Sequence, residues 1–132
     1  MSEALVHGIV VGHGELAYAL VAVVAQISGA SEGLVAISNQ GLSAEDLRAT
    51  VADHVDQRAT IVFVDLQGGS CGLAGLGVAK STRNVAVLSG VNLPMLLDFT
   101  FHRDLPLDQL VERLVDKGRA ELHLCTASPR PA

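Results

Sequence analysis

Leu5-Val-His-Gly-Ile-Val-Val-Gly-His-Gly-Glu-Leu16 opens on a run of valine, leucine and isoleucine and closes on a histidine held between two glycines. The run Leu5–Val11 has the length and β-branched content of a strand, without the polar alternation of a strand that shows one face to water. A strand buried on both faces belongs to a parallel sheet covered by helices on each side. The segment after it, Glu15–Ile27, is apolar almost all round, as a helix packed deep against a sheet must be. One βα unit is legible in this stretch alone.

The alternation continues along the chain. Gly33–Ser38, Thr60–Asp65 and Asn84–Ser89 are further short runs rich in Val, Ile and Leu, each ending near Gly, Ser, Asn or Asp. Ser43–Gln57 reads as a helix. It opens with Ser43-Ala-Glu-Asp46, a capping-box pattern in which each side chain satisfies an orphan N–H, and Leu47, Val51 and Val55 mark its buried stripe. Ser70–Lys80 is a helix whose glycines lower its propensity. Asn92–Phe101 carries Pro94 in its first turn, where the missing N–H costs nothing. Leu107–Gly118 places Leu107, Leu110, Val111, Leu114 and Val115 on one helical face.

Repeated βα units predict an α/β fold: a doubly wound, mostly parallel sheet in the order 2-1-3-4 with helices on both faces. The alternating segment Ala120–Cys125 is a candidate C-terminal antiparallel strand, with Gly118 as its hinge. The expected domain spans residues 5–125, with 126–132 as a disordered tail. No internal repeat or linker divides it.

The 132 residues suffice for one domain with a substantial core. That core has one tyrosine, three phenylalanines and no tryptophan to draw on, so Val, Leu, Ile and Ala must build it. A net charge of −5, with nine scattered Lys and Arg, excludes a nucleic-acid binder, which needs a basic stripe. Leu16–Ala25 falls short of the roughly 20 apolar residues that span a bilayer. Met1-Ser2-Glu3 lacks the positive region of a signal peptide, and Cys71 and Cys125 lack the spacing of a zinc or redox motif. Two free thiols then fit a cytoplasmic protein.

In a doubly wound sheet, ligands bind beyond the carboxyl ends of the strands where strand order reverses. Gly12-His13-Gly14, Asp65–Ser70 and Ser89–Pro94 fall at strand ends, and the order 2-1-3-4 makes the first two neighbours. His13, flanked by small residues, presents an approachable imidazole, a competent nucleophile near neutral pH. Asp65 is its natural orienter: accepting one ring N–H leaves the other nitrogen free to attack. The turn Gly68-Gly69-Ser70, feeding a helix, offers N–H groups and a hydroxyl to an anion. His7, inside a strand, is structural. His54 and His102 are packed or solvated, and His123 is a candidate for a subunit interface. With no i, i+4 pair and no acidic cluster at ligand spacing, the histidines predict no metal site, and nothing implies a cofactor.

Three segments resemble the IIA domain of the mannose class of the bacterial sugar phosphotransferase system. They are Val10-Val-Gly-His-Gly-Glu-Leu16, Val64-Asp-Leu-Gln-Gly-Gly-Ser70 and Ser89-Gly-Val-Asn-Leu-Pro-Met-Leu96. The resemblance runs from about residue 5 to about residue 125. It implies that His13 is phosphorylated, that Asp65 hydrogen-bonds it, and that Ser70 lies in the turn that binds the phosphoryl group. It further implies the phosphocarrier HPr as donor, a IIB domain of a transporter as acceptor, and a homodimer that exchanges a C-terminal strand, here Ala120–Cys125. Membrane contact is then only indirect, through the transporter. The family's proline after Gly-Gly-Ser is replaced here by Cys71, followed by Gly72 and Leu73, and no IIB domain follows. Three rival readings use the same crevice. They are a regulatory module of the same ancestry, the phosphotransfer subunit related to dihydroxyacetone kinase, and a flavodoxin-like anion or nucleotide binder.

Overall fold

The computed structural model describes residues 5–125. Four strands, β1 (His7–Gly12), β2 (Leu34–Ser38), β3 (Thr60–Val64) and β4 (Val85–Ser89), form one sheet in the order β2-β1-β3-β4. Every pairing is parallel, with Ile9 level with Val35 and Val62, and Val62 level with Val87. Five helices complete the domain: α1 (Leu16–Ser28), α2 (Ala44–His54), α3 (Ser70–Ser81), α4 (Leu93–Phe101) and α5 (Leu107–Ala120). The expected doubly wound α/β fold is present, and strand order reverses between β1 and β3.

Alternation along the strands builds two cores. Val10, Ile61 and Phe63 pack with Val24 of α1, Leu96 and Phe99 of α4, and Leu110 and Leu114 of α5. Phe63 meets Phe99 edge to face, ring centroids 5.3 Å apart. Ile9, Val11, Val62 and Val64 point the other way, onto Leu47 and Val51 of α2 and Cys71, Ala74 and Val78 of α3. All five residues of β3 are buried, so the continuous apolar run read from the sequence reflects cover on both faces. Among the described residues no helix is long and apolar enough to cross a membrane.

Helix ends follow the local chemistry. Ser43 Oγ accepts the Asp46 N–H at 3.1 Å, the first half of the expected capping box. The hydrogen bonds of the described residues contain no return bond, because aspartate is one methylene shorter than the glutamate that usually makes it. Asn92 Oδ1 accepts the Met95 N–H at 3.1 Å and starts α4 in the same way.

Two expectations at the C-terminal end are corrected. Gly118 is no hinge: α5 continues through it to Ala120. A Cβ at Gly118 would lie 2.9 Å from Met95 Cε, so this glycine lets α5 pack closely on α4. Ala120–Cys125 forms no strand within the chain. Ala120 closes α5, and residues 121–125 carry no helix or strand, with Leu122 and Leu124 exposed. A lone segment has no ladder partner until it reaches a sheet edge. The expected tail at 126–132 lies outside the described residues.

Candidate functional site

The crevice at the β1–β3 switch point is assembled from backbone turns. After Gly12 the chain turns sharply at Gly14, whose φ of 61° is left-handed, and enters α1 two residues later. That turn is braced from β2: the Gly14 N–H donates to Asn39 Oδ1 at 3.1 Å, and Ser38 Oγ donates to the Gly14 carbonyl at 2.7 Å. His13 is thereby held at the top of β1 with its side chain 41% exposed, open enough for another molecule to reach the ring.

Asp65 follows β3, one position beyond the end of the strand. Its Oδ2 accepts both the His13 backbone N–H at 2.9 Å and the ring Nδ1 at 2.8 Å. Its Oδ1 accepts the Leu66 N–H at 2.9 Å. Burial pushes the Asp65 carboxyl up, but hydrogen bonds from the His13 backbone and ring, the His13 charge and the Leu66 N–H outweigh it. The net result lies below the ordinary carboxylate value. A carboxylate so held stays ionised and fixes the proton on Nδ1, leaving the in-plane lone pair on Nε2.

Nε2 faces the start of α3. Ser70 Oγ is 3.5 Å from it. A Cβ at Gly69 would stand 3.0 Å from His13 Cε1 and crowd the ring, so glycine here lets the turn approach it closely. No side chain caps α3, and its first N–H groups are left for an anion. Gly68 is different. It belongs to the same turn, but a Cβ there would meet nothing within 4 Å.

Of the three strand-end segments singled out in the sequence, two meet at His13. The third, Ser89–Pro94, serves packing instead: the Val91 N–H donates to the Val64 carbonyl, and Asn92 Nδ2 donates to the Gly118 carbonyl. Three participants escape a sequence reading. Ser38 and Asn39 brace the His13 turn, and the predicted strand order, which sets β2 beside β1, was the available signal. The third is Cys71, buried in the first turn of α3 with Sγ 3.7 Å from His13 Nδ1. Burial and the nearby Asp65 charge push its thiol up, against a hydrogen bond from Ser70. Only its place on the sheet-facing side of α3 could have pointed to it.

The other histidines do not enter the crevice. His7 is buried at the start of β1 with Nδ1 unpartnered. His54 and His102 bond to the Thr50 and Asp98 carbonyls of their own helices, and His123 is exposed beyond α5.

Fold and crevice together define a doubly wound α/β domain whose switch point presents a histidine clasped by an aspartate beside an uncapped helix. The chain belongs to the EIIA-man family, described as the fructose IIA component of the phosphotransferase system, whose model matches residues 8–115. It is therefore a IIA component of the mannose/sorbose class, a phosphotransferase in the general sense. The sorbose-specific EIIA component of Klebsiella pneumoniae is 31% identical over 115 residues, 83% of this chain and 84% of that one. The crystal structure of a phosphotransferase system component EIIA from Streptococcus agalactiae superposes with a TM-score of 0.85 at 26% identity, covering 90% of this chain and 96% of that one. The mannose/sorbose-specific IIA subunit from Enterococcus faecalis also gives 0.85, at 20% identity, over 97% and 100% of the two chains; it shares the fold.

Proposed function

We propose that the protein is a phosphocarrier that accepts a phosphoryl group from phospho-HPr on His13 Nε2 and passes it to a IIB domain of a sugar transporter. The observation that carries this reading is the 2.8 Å contact between His13 Nδ1 and Asp65 Oδ2, with Nε2 turned toward Ser70 and the start of α3. The lone pair of Nε2 attacks phosphorus, an N–P bond to HPr breaks as the new one forms, and Asp65 stabilises the positive charge that develops on the ring. Gly69 and Ser70, with Gly68 completing the turn, supply N–H groups and a hydroxyl to the phosphoryl oxygens. Phosphoryl transfer needs mainly this positioning and charge stabilisation.

A protein donor suits the surroundings. Leu16, Leu66 and Leu73, on the segments that carry His13, Asp65 and Ser70, are all exposed. Large apolar side chains exposed together around one crevice mark a protein docking face. HPr as donor puts the site of action in the cytoplasm. The decisive experiment is incubation with HPr, enzyme I and phosphoenolpyruvate followed by intact-mass measurement. One added phosphoryl group, labile in acid and stable in base, supports the reading. An acid-stable adduct would move the site to a hydroxyl such as Ser70.

A further inference from the structure

His13 Nδ1, Asp65 Oδ2 and Cys71 Sγ all lie within 4.8 Å of one another. An imidazole, a carboxylate and a thiol thus converge from the ends of β1 and β3 and the start of α3. Zinc is bound by nitrogen at about 2.0–2.1 Å and by sulfur at about 2.3 Å in a tetrahedron, which sets ligand atoms roughly 3.3–3.6 Å apart. Here Nδ1 is 2.8 Å from Oδ2 and 3.7 Å from Sγ, on either side of those spacings. Backbone N–H groups of His13 and Leu66 already hold the carboxylate, the kind of outer support that orients metal ligands. The thiol selects a thiophilic ion over magnesium or calcium.

We propose that His13, Asp65 and Cys71 form a binding site for a zinc-class divalent cation, and that an ion bound there switches His13 out of phosphoryl transfer. The switching half rests on the phosphocarrier reading above; the binding half does not. The logic is tautomeric. A neutral imidazole has one in-plane lone pair, which the Asp65 contact places on Nε2 in the metal-free protein. An ion on Nδ1 takes the lone pair there and leaves the proton on Nε2, which is then no nucleophile. Proton balance follows: the ring loses one proton at Nδ1 and gains one at Nε2, and the Cys71 thiol releases one. Net release is one proton per ion bound. With one carboxylate and one thiolate, the site neutralises a divalent charge, and the exposed side of the crevice leaves a fourth position to water.

The test uses the reduced full chain with Co2+ as the optical probe and Zn2+ as its competitor. One equivalent of Co2+ should produce a thiolate-to-metal charge-transfer band that Zn2+ abolishes. The band should survive in Cys125→Ser and vanish in Cys71→Ala. His13→Ala, altered at a more exposed position, should weaken binding by about tenfold or more and keeps the test open if the buried variant misfolds. Phospho-HPr freed of enzyme I then serves as donor. Transfer should fall in proportion to zinc occupancy and return on chelation, whereas Cys71→Ala should transfer at its own rate with or without zinc. Absence of the band, or a band that follows Cys125, overturns the site. Phosphorylation of the zinc-loaded protein at the metal-free rate overturns the switch. A metal-free protein that takes no phosphoryl group defeats the phosphocarrier reading instead, and the optical titration still decides the site.

Discussion

His13 and Asp65 are within hydrogen-bond reach although 52 residues separate them in the chain, and that pairing was legible because both sit at the ends of apolar runs that parallel order makes adjacent. Replacing His13 by Ala should abolish phosphorylation and leave the far-UV spectrum and melting temperature nearly unchanged, since the ring is partly exposed and fills no core. Asp65→Asn should slow phosphorylation on the order of 10- to 100-fold, as when a carboxylate partner of a metal-bound histidine is removed. Equal transfer rates in stopped-flow mixing with phospho-HPr would reduce Asp65 to a turn residue. Cys71 was not legible, because what it touches depends on side-chain direction in a helix, which spacing does not encode. His7 yields a prediction remote from the crevice. Burial lowers its pKa below the ordinary 6.5, Arg58, Arg103 and His54 add to this, and Asp56 opposes it. A group whose folded-state pKa is depressed binds more protons when unfolded, so stability is lost as pH falls below 6.5. Denaturant melts at a series of pH values should show a smaller loss between neutral and mildly acidic pH in His7→Leu than in the natural chain.

At the level of the element, α3 separates what propensity can predict from what packing decides. Its three glycines argue against a helix in isolation, yet Ser70–Ser81 is helical throughout. The reason is proximity. A Cβ at Gly72 would lie 2.1 Å from the Gln67 carbonyl oxygen, and one at Gly75 would lie 3.3 Å from Val62 Cγ1 and Val64 Cγ1. The glycines draw α3 down onto the 65–69 turn and the sheet, and tertiary burial replaces what intrinsic propensity lacks. The strands were the easier reading, since burial on both faces leaves an uninterrupted apolar run. Gly72→Ala should destabilise the domain by about 1–3 kcal/mol even though alanine is the better helix former, because the obstructing atom is backbone and cannot turn aside. Chemical denaturation measures this directly. The same substitution should slow phosphorylation, since the displaced turn carries Gly69 and Ser70.

For the whole molecule the open question is what meets the free edge of β4, which pairs with β3 on one side only. An exposed edge with unpaired N–H and C=O groups invites another strand. A groove of about 480 Å3 lies there, lined in part by Val87, Leu88, Met95, Val115, Gly118 and Leu122. Just past α5, Glu121-Leu-His-Leu-Cys125 exposes Leu122 and Leu124 at 89% and 80%, an alternating pattern that pairs with no strand among the described residues. Exchange of this segment between two copies would pair each with the other's β4 edge, bury the leucines, and close a two-fold dimer with nothing left over to propagate. The crevices at His13 lie at the strand ends, away from that edge, and stay open to HPr. Because α5 runs to Ala120, truncation after Ala120 removes the segment without cutting the helix. The truncated chain should stay folded by circular dichroism, lose its dimer in light scattering, and still accept a phosphoryl group on His13. A truncated chain that remains a dimer would place the interface elsewhere, and a full-length chain that is monomeric at micromolar concentration would remove strand exchange altogether.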